Sequence, residues 1–117
     1  MNKSKELISL IEKVDMSGEI EDWIKQAKIN VEKNTKAKWP ETPNNWNTLT
    51  VTKGPKFYKV WIKNLDSIGR GSIFMFIDKE GNIYKAASTN APAKGIRGHI
   101  NSINPKNLDG SIDFLYR

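Results

Sequence analysis

The run Ser72-Ile73-Phe74-Met75-Phe76-Ile77 constrains this chain more than any other segment. Five consecutive apolar side chains leave a strand with no polar face, and the shortness and aromatic content of the run favour strand over helix. Such a strand belongs in the middle of a sheet with both faces covered, so the rest of the chain has to supply flanking strands and a covering layer. Asp78-Lys79-Glu80-Gly81-Asn82 reads as a hairpin turn, and Ile83 to Ala86 returns as the partner strand. Upstream, Leu49 and Val51 alternate with Thr48, Thr50 and Thr52, Lys53-Gly54-Pro55-Lys56 makes a turn, and Phe57 to Lys63 follows. Strands are therefore expected near 48–53, 57–63, 72–78 and 82–87, joined antiparallel.

The covering layer is expected from the N-terminal third. Leu7, Ile8, Ile11 and Val14 recur at helical spacing before the breaker Asp15-Met16-Ser17-Gly18, and Ile20, Trp23, Ile24, Ala27 and Val31 form a second stripe. Acidic Glu19, Glu21 and Asp22 open the second helix and Lys33 lies near its end, an order that suits the helix dipole. The reading is a helical hairpin, near 4–15 and 18–34, packed on a small antiparallel sheet of about four strands. The fold class is α+β in one domain spanning 1–117.

Residues 36–47 carry two prolines and three asparagines, so they are expected as a loop whose Trp39 and Trp46 fold back as a lid over the sheet. Asp66 to Gly71 reads as a flexible connector. Pro92-Ala93-Lys94-Gly95 is expected to form one helical turn, with Pro at its start and Gly at its end. Beyond Ile100 the tail is irregular, with a short last strand at 112–116.

Charge and residue usage narrow the function. The net charge of +6 is unevenly spread: residues 1–22 hold three lysines against six acids, which leaves +9 for the remainder. A basic body attracts phosphate polyanions, acidic surfaces or acidic protein partners. With no cysteine and a single histidine, His99, the chain lacks a thiol nucleophile, a thiolate metal site and the parts of a Ser/His/Asp triad. No metal, no cofactor and no catalytic set are expected. No apolar run approaches the roughly 20 residues that a membrane span requires, so a cytoplasmic chain without a membrane partner is expected.

Two groups could contact nucleic acid. In the second strand Tyr58, Val60 and Ile62 share one face while Phe57, Lys59, Trp61 and Lys63 share the other. Aromatic and basic together, that second face suits base stacking flanked by phosphate contacts, or becomes core if a helix covers it. Lys85 at a strand end, Lys94 in the expected helical turn, and Arg97, with Gly95 and Gly98 exposing backbone amides beside them, form the second group. Cations next to accessible amides suit phosphate. His99 adjoins this group as a further contact. The segment lacks the Gly-x-x-x-x-Gly-Lys-Ser/Thr pattern of a nucleotide P-loop.

Residues 72–100 resemble a block found in small bacteriophage and mobile-element proteins of uncharacterised function: an apolar strand, a Gly turn, Ile83-Tyr84-Lys85, then Pro92-Ala93-Lys94 with Arg97-Gly98 and Ile100 downstream. The block departs from that pattern in lacking an aromatic near Thr89 and in carrying His99 where Asn is usual. The resemblance implies a phage-like origin and no particular reaction. Combined with the charge, it leads to the expectation of a non-catalytic nucleic-acid-binding accessory protein, contacting single-stranded or duplex DNA through Lys59, Trp61, Lys63, Lys85, Lys94, Arg97 and His99. The alternative is a phage-encoded inhibitor or adaptor that docks on a host protein complex.

Overall fold

The computed structural model describes residues 16–111 and Leu115. Its elements are a helix α1 (Ser17–Lys38) and five strands, β1 (Asn47–Lys53), β2 (Phe57–Asn64), β3 (Ser72–Asp78), β4 (Asn82–Tyr84) and β5 (Gly98–His99), with single 3-10 turns at Pro43–Asn45 and Pro105–Asn107. The strands form one antiparallel meander in the order β1-β2-β3-β4-β5, which puts the apolar β3 at its centre.

The α+β class and the four expected strands are present. A fifth is added because Gly98 and His99 pair with Ile83 and Asn82. The first helix of the expected hairpin, 4–15, lies outside the described residues, as does the last strand expected at 112–116 apart from a buried Leu115. Among the described residues there is one α-helix.

Helix α1 is four residues longer at its C-terminus than its apolar stripe suggests. Thr35 accounts for part of this: its hydroxyl donates back to the Val31 carbonyl at 2.8 Å and accepts from the Asn47 amide at 3.0 Å, tying the last turns to the start of β1. The helix stops at Trp39, where Pro40 disfavours the helical conformation of the preceding residue. Its buried stripe of Ile20, Trp23, Ile24, Ala27 and Val31 joins Leu49, Tyr58, Val60, Met75, Ile77 and Ile83 in one core. The Trp23 indole donates to the Ile103 carbonyl at 2.9 Å, and the Asn34 amide donates to the Leu108 carbonyl at 2.8 Å, so the C-terminal segment closes the same core.

Pairing between β2 and β3 passes from Val60–Met75 to Trp61–Ile73 and leaves Phe74 as an extra residue, a β-bulge. The bulge lets the successive side chains Phe74 and Met75 both enter the helix-side core, whereas Phe76 and Trp61, both buried, stand outside that cluster. The sheet therefore has a helix-covered face and, among the described residues, a second face with no helix on it.

Candidate functional site

On that second face lie Phe57, Lys59, Trp61 and Phe76. Phe57 meets Phe76 and Tyr84 edge-on, each pair with ring centroids 5.7 Å apart, and the Lys59 ammonium sits 5.9 Å from the Phe76 centroid. Trp61 is only 6% exposed. Its indole Nε1 donates to the Thr52 hydroxyl at 3.0 Å, and the Arg70 guanidinium covers its ring with Cζ 4.8 Å from the centroid.

Arg70 reaches this position through the β2–β3 loop. Gly71 adopts a φ of +82°, and a Cβ there would collide with the Ile62 carbonyl oxygen, so only glycine lets the loop turn back this closely against β2. The segment read as a flexible connector is thereby held against the strand beside it.

Phe57, Lys59, Phe76 and Arg70 border a groove of about 420 Å³. Its floor is Phe57, Lys59 and Phe76, one wall is the β1–β2 turn with Lys56, and Arg70 and Asn90 lie on the other sides. No carboxylate lines it, and among the described residues Lys56, Lys59 and Arg70 have no acidic partner within salt-bridge distance. Such a groove presents cations around an aromatic floor. Lys63, on the same strand face, donates to the Ser67 carbonyl at 2.9 Å and so braces the loop that carries Arg70.

A second recess of about 430 Å³ lies between α1 and β1, walled by Ile24, Leu49, Val51 and Tyr58. Lys25, Lys28 and Lys53 line it together with Glu21, which pairs at 2.7 Å with Lys53, a residue that borders the first groove too; the carboxylate in its lining makes it suit a polyanion less well.

The Lys85, Lys94 and Arg97 group is assembled differently from the sequence reading. Pro92 bridges to Ala86, the Ala93 amide donates to the Lys85 carbonyl at 2.7 Å, and the Arg97 amide donates to the Ile83 carbonyl at 2.7 Å. These bonds run outward to the neighbouring strand and hold the segment alongside it, where a helical turn at 92–95 was expected and is absent. They lay residues 93–97 beside the end of β4 and bring the three cationic residues to one end of the sheet, without a helix N-terminus to assist them. Gly98 serves packing: a Cβ there would overlap Ile103.

His99 has both ring nitrogens engaged. Nδ1 accepts from the Asn101 amide at 3.0 Å, which assigns the proton to Nε2, donated to the Glu80 carbonyl at 2.8 Å. The ring thus locks β5 to the β3–β4 turn. Asp78 organises that turn from within, taking the amides of Glu80 and Asn82, the Asn82 side chain and the Tyr84 hydroxyl. Burial pushes its carboxyl pKa up, but these four donors outweigh burial and leave it below its ordinary value. Burial, then the bond to Asp78, raises the Tyr84 phenol.

Trp39 and Trp46 pack at the C-terminal end of α1. The Trp46 indole donates to the Trp39 carbonyl at 2.7 Å, and Lys36 and Lys38 stand 5.5 and 5.9 Å from the Trp46 and Trp39 centroids.

Of the sequence-selected residues, then, Lys59, Trp61 and Lys63 share the helix-free face, Lys85, Lys94 and Arg97 share one sheet end, and His99 is committed to the fold. Arg70, Lys56 and Asn90 were missed. The signal for Arg70 was its place between Gly69 and Gly71, a cation on a loop with the glycines needed to turn back over β2.

A family model described as a family of unknown function (DUF7717) matches residues 3–116. No curated protein and no solved structure matches the chain.

Proposed function

The chain belongs to this family of unknown function (DUF7717), so its own surfaces must carry the functional argument, and we propose that it is a non-catalytic nucleic-acid-binding protein whose contact surface is the helix-free face of the sheet. The observation that supports this reading is the groove itself, with Lys56, Lys59 and Arg70 around an aromatic floor and no carboxylate in its lining. Cations of this kind engage phosphates. Lys85, Lys94 and Arg97, gathered by the hydrogen bonds that dock residues 93–97 beside β4, supply a second group of cations for the same polyanion. On this reading the protein works in the cytoplasm of its cell, and the resemblance of residues 72–100 to a phage and mobile-element block supports an accessory role in handling such DNA.

A second reading, docking on a host protein as an inhibitor or adaptor, draws support from Ile68, fully exposed at the tip of the β2–β3 loop, and from Trp39 at 42% exposure. Salt separates the two. Fluorescence-anisotropy titration of labelled single-stranded and duplex oligonucleotides at about 50 and 200 mM salt should show binding that weakens steeply with salt, and Lys59→Gln should lower the salt slope by about one contact. Absence of binding at the lower salt contradicts the nucleic-acid reading and favours the protein partner.

A further inference from the structure

We infer that the groove takes an unpaired base stacked on the Arg70 guanidinium, so that the preferred ligand is a single strand; this rests on the nucleic-acid reading above. A guanidinium is planar and stacks on ring faces from either side. On one side of Arg70 lies the Trp61 ring, held in place by its bond to Thr52 and by burial in the sheet surface. Arg70 itself is exposed and lines the groove, whereas Trp61 is not part of the lining. Trp61 thus acts as a positioning residue that orients the guanidinium without touching the ligand.

The dimensions favour an unpaired base. A recess of about 420 Å³ between the β1–β2 turn and the Asn90 loop accommodates one base with its sugar. In a duplex the bases are already stacked and paired, and only phosphates would be presented to it. Lys56 and Lys59 line the same groove and supply cations for the phosphates that flank such a base, and Asn90, also in the lining, carries a side-chain amide that can pair with a base edge.

The test compares a labelled single-stranded oligodeoxynucleotide of about 12 residues, its duplex and an abasic strand of equal length on the intact protein. The base-bearing single strand should bind most tightly, and the abasic strand should lose roughly 5- to 150-fold. Arg70→Lys, which keeps the charge and removes the plane, should bind the base-bearing strand at least about fivefold more weakly and should no longer separate it from the abasic strand. Equal binding of single strand and abasic strand by the parent protein overturns the inference without recourse to any variant. An Arg70→Lys protein with undiminished affinity and base dependence also overturns it, and salt-dependent binding in either case leaves the broader reading standing. Failure of all three oligonucleotides to bind at low salt overturns both.

Discussion

The Arg70 guanidinium lies over the Trp61 indole, Cζ 4.8 Å from the ring centroid, while the same indole is anchored to Thr52 through Nε1. This contact joins the buried sheet to its exposed loop: Trp61 belongs to the packed surface of β2, and Arg70 to a segment of exposed residues. An arginine on a loop loses considerable side-chain entropy when it is fixed, and the ring beneath it offsets part of that loss before any ligand arrives. The result is a cation presented in a defined orientation.

Beneath the groove, Phe76 is 1% exposed on the central strand and packs edge-on against Phe57. Phe76→Ala should cost about 3–5 kcal/mol in urea unfolding. A loss below about 1 kcal/mol would mean that β3 is peripheral and would remove the floor from the account.

The Asp78 carboxylate sets an acid limit on stability. Because donors hold its pKa below the ordinary value despite burial, its contribution is present above the unfolded pKa, near 3.8, and is lost as pH falls through the lower folded value. The thermal midpoint should therefore fall from about pH 4 downward, and Asp78→Asn should show a lower midpoint at neutral pH with a flatter acid limb. Superimposable acid limbs for the two proteins would contradict this assignment.

Much of this architecture was legible in the chain. The apolar run at Ile73–Ile77 forced a central strand, the stripe from Ile20 to Val31 announced the covering helix, and alternation in Phe57–Lys63 separated the two faces of β2. What periodicity did not reveal were the long-range hydrogen bonds. Residues 92–95 have the local signals of a helical turn, but Ala93 and Arg97 donate to the carbonyls of Lys85 and Ile83 and hold the segment along its neighbour, and only the folded hairpin brings those carbonyls near. Likewise His99 reads in the sequence as a nucleic-acid contact because its distant partner, Glu80, comes near only once β5 docks on β4. Arg70 was hidden for the same reason: its importance comes from contact with Trp61, nine residues earlier.

Gly98 and Ile103 form a lock on the docked β5 segment, since a Cβ at Gly98 would occupy the place of the Ile103 side chain. Because only the end of the Ile103 side chain has to yield, Gly98→Ala should destabilise by no more than about 1 kcal/mol. Adding Ile103→Val, which removes a methyl group from the contact, should recover part of that loss in a double-mutant cycle, whereas strictly additive effects would show that the two positions do not meet.

Nucleic acid on the helix-free face would be reported site by site by the four tryptophan indole resonances. Trp61 donates its Nε1 proton to Thr52 beneath Arg70, whereas Trp23 donates its own to Ile103 within the helix-side core. Titrating the isotope-labelled protein with a single-stranded oligonucleotide at low salt should shift the Trp61 indole peak together with the amides of Lys56 to Lys59 and Arg70, and leave the Trp23 peak in place. Shifts confined to Trp23 and α1, or a saturated complex in which Trp61 and its groove do not move, would contradict the account.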